Sequence, residues 1–353
     1  MMVVGVDPHK QSHTAVVVDA LGRKQGQKTA RARRDGHLQL MAWARSQAPA
    51  GRAWAVEDVR HVAGNLVRDL LAAGETVVFV PPKMMAGERR GGRERGKSDP
   101  IDALAIARLA LREDRGLPAA HLDERTRPLR LLTDHRDALV AGRTQMVNRL
   151  RWHLHDLDPA LAPAARALSR APARRRLTAA LAALPPSTLR RVAAAQLACI
   201  QALSAEIDAV EAELAPLVTA AAPALLAITG VSVLTAAKIL GETGGIRRFR
   251  SSAACARHNG TAPIPVWSGN DEVHRLNRGG NRQLNAAIHR IALTQARCHP
   301  PARAQLERRK ATTRDTTRAS LRVLKRHLSD TIYRAMITDA GPAANPQAKI
   351  NLT

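Results

Sequence analysis

The chain has 353 residues, with 55 Lys plus Arg against 30 Asp plus Glu and a formal charge of +25; at about 100–200 residues per domain it divides into two or three domains. Apolar residues make up 45% and aromatics 2%, which argues against wholesale disorder and against single-strand binding by rows of stacked rings, and the composition excludes a collagen, a mucin and a disulfide scaffold. The charge surplus points to a polyanionic partner.

Along the chain, Met1-Met2-Val3-Val4-Gly5-Val6-Asp7 has no basic region and soon meets a carboxylate, so it reads as a strand and not as a signal peptide. Strands are predicted at Val3–Asp7, Thr14–Asp19, Ala53–Glu57 and Val77–Val80, the last stopped by Pro81-Pro82, with helical character over His61–Ala73. Gly87–Lys97, with five basic and two acidic residues, reads as a mobile basic loop, and Asp99–Leu111 restarts as an Ala- and Leu-rich helix. Strands with interleaved helices predict an α/β domain.

From Pro128 to about Leu217 the pattern changes to long helices. Ile200, Leu203, Ile207, Val210, Leu214 and Leu217 form a heptad-like seam, with Leu129–Leu157 as its antiparallel partner. Between them Arg166, Arg170 and Arg174 to Arg176 lie in an Ala/Pro-rich stretch without an acid. The region is either a spacer or an arm that spans a nucleic acid or pairs two subunits. Further on, Ile228–Ser232 followed by a helix over Thr235–Leu240 resembles a phosphate-contacting hairpin between helices. Arg314, Arg318, Arg322 and Arg326 recur every four residues, with Leu321, Leu324, Leu328 and Ile332 on another face. Such a basic stripe is either a solvated face or a phosphate-contacting one, and the +25 charge favours phosphate contact. No run of about 18 uncharged apolar residues occurs, so no membrane span is expected. Cys199, Cys255 and Cys298 form no Cys-x-x-Cys pair, which argues against a zinc ribbon and for a reducing, cytoplasmic setting.

The carboxylates of the first region carry the most chemistry. Asp7 and Glu57 each end an apolar strand, and Asp99 and Asp102, three apart at a helix start, share one face. Singly, each has a structural reading: Ser98-Asp99 as a helix cap, Glu57 as a surface charge beside Asp58. Four carboxylates converging on one place repel unless a cation neutralises them, and hard oxygen ligands select Mg²⁺ or Mn²⁺, as in two-metal phosphoryl transfer.

Gly5-Val6-Asp7, Glu57 and Lys97-Ser98-Asp99-Pro100-Ile101-Asp102-Ala103 resemble the DEDD motif of insertion-sequence family 110 transposases, RuvC-like recombinases guided by a bridge RNA. Asn259-Gly260-Thr261-Ala262-Pro263, then Ser268-Gly269, then Arg275-Leu276-Asn277-Arg278-Gly279-Gly280 match, in order, the family's carboxy-terminal domain, where a serine five residues after the proline is the nucleophile. The resemblance covers nearly the whole chain. It implies an α/β RuvC/ribonuclease-H-like catalytic domain over residues 1–120, a helical coiled-coil spacer over 121–222, a mainly α-helical transposase domain over 223–340 and a flexible tail over 341–353. It also implies Mg²⁺ (or Mn²⁺) on Asp7, Glu57, Asp99 and Asp102, and Ser268 as nucleophile in a composite site whose parts come from one or from different subunits. Donor and target DNA, a bridge RNA and a homo-oligomer, dimer or tetramer, are the partners implied.

Read from its own surroundings, Ser268 lies between Trp267 and Gly269 in a Pro- and Gly-rich loop, where it is either a plain turn serine or a hydroxyl brought close to a phosphate. Arg275, Arg278 and Arg282 are candidates to hold the transferred phosphoryl group, and Arg318 and Arg322 to contact backbone phosphates. Ser251 and Ser252, after a basic segment, look like a helix cap. Two alternatives to the recombinase remain: a RuvC-like nuclease that uses water, and a non-catalytic architectural nucleic-acid-binding protein.

Overall fold

The computed structural model describes residues 1–82, 84–85, 98–113, 117–120, 125–164, 166–269, 271–277, 279–313 and 316–341. The expected basic loop Gly87–Lys97, Arg278, Arg314 and nearly all of the expected tail lie outside them. Contacts divide the chain into two units: Met1–Asp123, Gly244–Asn285 and Arg309–Thr353 in one, Glu124–Thr243 and Ala286–Arg308 in the other.

The amino-terminal part of the first unit is a mixed α/β layer structure. Strands β1 (Met2–Pro8), β2 (Ser12–Val18), β3 (Lys24–Arg31), β4 (Arg52–Glu57) and β5 (Val77–Val80) form one sheet in the order β3-β2-β1-β4-β5. β1 pairs antiparallel with β2, and β2 with β3; β1, β4 and β5 run parallel. Helices α1 (Arg34–Gln47) and α2 (Arg60–Ala72) cover one face and α3 (Asp99–Glu113) the other. The two-residue period of a strand divides the side chains between these cores. Val4 and Val6 meet Leu40, Met41, Leu66 and Leu70, whereas Val3 meets Ala103, Ile106 and Ala110. Each fully buried Val or Leu contributes about 1.5–3 kcal/mol.

The four expected strands and the helix at Asp99 are present. Strand β3 is an addition: Lys-Gln-Gly-Gln-Lys-Thr-Ala-Arg is mostly exposed and lacks the apolar run of an interior strand, as an edge strand does. Under the sheet, fully buried Trp54 donates its Nε1–H to Glu75 at 3.0 Å, and Arg45 and Arg52 also bind that carboxylate. Burial alone raises the Glu75 pKa, but hydrogen bonds from Arg52 and Trp54 outweigh it and hold the group below its ordinary value.

The second unit is helical. Helices α4 (Thr126–Leu157), α5 (Ala171–Ala183) and α6 (Thr188–Ala221) are followed by the short α7 (Pro223–Leu226) and by α8 (Val233–Thr243). Cross-contacts Arg136–Glu211, Arg143–Ser204 and His153–Gln196 descend along α6 as they ascend α4, so the two long helices run antiparallel. The inner seam differs from the expected one: Ser204 and Val218 are buried, while Leu203 is half-buried and Leu217 is exposed. A helix with 3.6 residues per turn drifts against a strict seven-residue repeat, and the seam steps across by one residue. Ser204 is tolerated inside because its hydroxyl donates to the Ile200 carbonyl at 2.7 Å. The arginine-rich stretch after Arg166 becomes α5, anchored by buried Leu177 and Leu181. Between α7 and α8 the chain turns at Gly230 (φ +88°), which lies against Thr294.

The first unit closes with α9 (Ser252–His258), the hairpin β6 (Ile264–Ser268) and β7 (Asp271–Arg275), the start of α10 (Arg282–Cys298), the end of α11 (Pro300–Thr313), and α12 (Thr317–Asp339). In α12, Leu324, Leu328, Ile332 and Met336 form the buried stripe. Among the described residues no helix is long and apolar enough to cross a membrane.

Candidate active site

Asp7 sits one residue before the end of β1, buried at 5% exposure. Its strand is crossed closely by α3 because Gly5 has no side chain. A Cβ there would meet the Ala103 carbonyl oxygen at 2.2 Å and the Ala107 nitrogen at 2.5 Å. That contact brings the first turn of α3, with Asp99 and Asp102, to the end of β1. Glu57 ends β4, the parallel neighbour of β1, and pairs with Val80 of β5.

The tightest grouping includes a residue that the sequence reading missed. His9 Nε2 lies 3.0 Å from Asp7 Oδ2 and 3.2 Å from Asp99 Oδ1, and the three ligand atoms fall within 4.8 Å of one another. Glu57 and Asp102 lie outside that group. Asp102 is buried, and its charge still reaches Asp7. Burial pushes the Asp7 carboxyl above its ordinary value; His9 opposes this through charge and hydrogen bond, and Asp102 and Asp99 raise it further. A buried carboxylate with an elevated proton affinity beside further acids is an environment short of positive charge. Two carboxylates and an imidazole at this spacing fit a divalent cation, with the oxygens suiting Mg²⁺ or Mn²⁺ and the imidazole the less hard ion. The His9 N–H donates to the Ser12 carbonyl at 2.9 Å, a turn that folds the residue back beside Asp7.

Ser268 does not lie in an irregular loop. It is the last residue of β6, paired with Asp271 across a two-residue turn whose first member, Gly269, has φ +63°. Gly-X is a hairpin turn signal, and it overrides the prolines at 263 and 265. The hairpin is rooted by two glycine turns. A Cβ on Gly280 would meet the Gly260 nitrogen at 2.2 Å, so the Asn259-Gly260-Thr261 and Gly279-Gly280 segments press backbone on backbone. Buried Asn259 fixes the junction: its amide donates to Ser329 at 2.7 Å, and its Oδ1 accepts from the Thr261 N–H and hydroxyl.

Arg275 lies exposed on β7, Arg282 exposed at the first position of α10, and Arg318 and Arg322 exposed on α12. Arg326 of the same stripe is paired with Asp330 at 2.6 Å. Ser251 caps α9, accepting from the Ala254 N–H at 3.2 Å. Burial pushes the Cys255 thiol up to about 12, so it is no nucleophile at neutral pH.

Residues 4–159 match the DEDD transposase model of the IS110 type, and residues 222–307 match the model described as Transposase IS116/IS110/IS902 family. The chain is similar to the 44.8 kDa protein of insertion element IS116 from Streptomyces clavuligerus, 35% identical over 45% of this chain and 39% of that one. It is also similar to the 42 kDa protein of insertion element IS900 from Mycobacterium paratuberculosis, 27% identical over 95% of both. The 43.6 kDa protein of insertion element IS110 from Streptomyces coelicolor is 34% identical over 39% of this chain and 33% of its own length. The matches thus span less than two thirds of the two Streptomyces proteins and nearly all of the mycobacterial one.

Proposed function

Because the chain belongs to the IS110 family of transposases, we propose that it is a DNA transposase that cuts and rejoins strands through a serine–DNA linkage, guided by a bridge RNA and acting as a homo-oligomer. On this reading residues 1–120 are a RuvC-like catalytic domain, 121–222 a coiled-coil spacer and 223–340 the domain that carries the nucleophile. The single observation that supports it most is the approach of Asp7 and Asp99 to within 4.8 Å with His9 between them.

Asp7, Asp99, Asp102 and Glu57 would hold Mg²⁺ or Mn²⁺, with His9 as a further ligand. Bound there, the ion supplies charge stabilisation to the phosphoryl oxygens. Ser268 attacks phosphorus: the Oγ–P bond forms as a P–O bond of the DNA strand breaks, and the departing strand oxygen takes up a proton. Attack by a new strand's hydroxyl reverses these changes and releases the serine. One phosphodiester is exchanged for another, so the exchange conserves bond energy and needs no ATP. Arg275, Arg278 and Arg282 neutralise the phosphoryl group, and Arg318 and Arg322 hold backbone phosphates.

The test is to purify the protein, sequence the RNA that copurifies, and assay that complex for joined donor and target DNA. Wild type should yield a protein–DNA adduct that survives denaturing electrophoresis, and Ser268→Ala should yield none while still binding both nucleic acids. An undiminished adduct in that variant removes Ser268 from the mechanism, and cleavage without any adduct points to a water-using nuclease.

A further inference from the structure

A second charged site lies on the opposite face of the sheet from α3. A cavity of about 220 Å³ is lined by Arg33 and Arg34 at the start of α1, by His37 one turn on, and by Asn65, Arg68 and Asp69 of α2. Arg33 occupies the N-cap of α1 and makes no side-chain cap bond, so the helix presents its first-turn amides without a capping acceptor. His37 supplies an independent sign of a missing partner. It is 1% exposed, its Nδ1 is 2.6 Å from Asp69 Oδ2, and its buried Nε2 has no hydrogen-bond partner among the described residues. Behind it, His13 stacks on the ring at 5.2 Å; burial, with His37 and His9 adding, pushes its pKa down to about 4, so it stays neutral. With Nδ1 taken by Asp69, Nε2 is the ring position left without a partner. Three guanidinium groups against one carboxylate leave the lining cationic.

We propose that this cavity seats one phosphodiester group of a nucleic-acid strand, held by Arg33, Arg34 and Arg68 over His37. At about 220 Å³ it falls below the ~300–1,000 Å³ of sites built for whole small molecules, and the +25 chain charge favours a polyanion over a free ion. The topology gives the contact a use. β3 and β4 run parallel to β1, so α1 and α2 both start at the sheet end where β1 and β4 present Asp7 and Glu57. A strand gripped here is led toward that end. The assignment goes beyond the strand-exchange reading and is tested by binding alone.

The experiment measures affinity of the full chain for a labelled DNA duplex and a labelled single-stranded RNA over a salt series. Three proteins are compared: wild type, the Arg34→Gln/Arg68→Gln double variant, and Arg23→Gln as a charge-loss control on the exposed β2–β3 turn. Removing one phosphate contact should lower the slope of log K against log salt by about 0.9 for the duplex or about 0.7 for the single strand. Whichever probe shows the loss identifies the strand. Arg23→Gln should leave both slopes unchanged, and circular dichroism and thermal melts should match wild type in all three. Unchanged slopes in the double variant, or an equal loss in Arg23→Gln, overturn the proposal. Calorimetric titration with inorganic phosphate is the second arm: saturable binding lost in the double variant, with nucleic-acid slopes unchanged, makes the cavity a free-anion site instead.

Discussion

At Asp7 the backbone belongs to a strand whose two faces are both covered, by α1 and α2 on one side and by α3 on the other. At Ser268 the backbone belongs to a two-stranded ribbon in which Ile264 and Trp267 are 44% and 66% exposed. A ribbon of two strands is marginal by itself in water, whereas a layered sheet fixes its side chains before any ligand arrives. The acids are therefore preorganised by the protein's own core. Among the described residues, the serine's hairpin is held at its root by the Gly260–Gly280 contact and Asn259.

The widest gap between the two regions should appear in chemistry. Asp99→Asn, which removes a proposed metal ligand, should lower strand joining by about 10³-fold or more while the fold persists, since metal charge stabilisation is worth several kcal/mol; quantifying joined product against a circular dichroism control checks this. Full activity in that variant would sink the acidic-site assignment.

Gly5→Ala attacks the preorganised region through its packing. The new Cβ meets backbone at 2.2 Å, so α3 must move off β1, at about 1–3 kcal/mol of overpacking strain. Urea unfolding should show the loss, and Mn²⁺ binding followed by paramagnetic resonance should weaken with it. Gly269→Ala, at φ +63°, should strain the hairpin and leave Mn²⁺ binding as in wild type. Equal effects of both changes on the metal would erase the distinction drawn between the regions.

His9→Ala should reduce Mn²⁺ affinity by roughly 10–100-fold, the range found when a group that orients or completes a metal shell is removed. Affinity equal to wild type would leave His9 a bystander.

The smallest effect concerns pH without metal. Asp7 has a raised folded pKa, so the native state holds its proton more tightly than the unfolded chain does. Its contribution is most favourable at low pH and declines as pH rises from the unfolded value through the folded one. Glu75 is the opposite: its lowered folded pKa gives stability present above the unfolded value and lost as pH falls through the folded one. In chelator at neutral pH, Asp7→Asn should thus melt above wild type and Glu75→Gln below it. The reverse order in a calorimetric scan would contradict both environments.

Interior strands and their terminal acids were legible because runs such as Val3–Asp7 and Ala53–Glu57 are apolar until a carboxylate ends them. β3 was not, since an edge strand needs only one apolar side and this one has little of that. The hairpin at Ser268 was hidden by prolines that read as loop, although Gly269-Asn270 carried the turn signal. His9 left no periodic trace: its place beside Asp99 depends on α3, ninety residues on, lying across β1. The seam of α6 was misplaced by one position at Leu203 and Leu217 because helical drift accumulates with length.

That length has a mechanical consequence. The 34 residues of α6, at 1.5 Å each, make a rod of about 51 Å. Braced by the antiparallel α4, it resists bending far better than a single helix. A stiff rod converts angle into travel: one degree of tilt at the near end displaces the far end by roughly 0.9 Å for this length. A rotation of a few degrees, well within the reach of ordinary repacking at a helix root, therefore moves whatever the far end holds by the rise of about one nucleic-acid base pair.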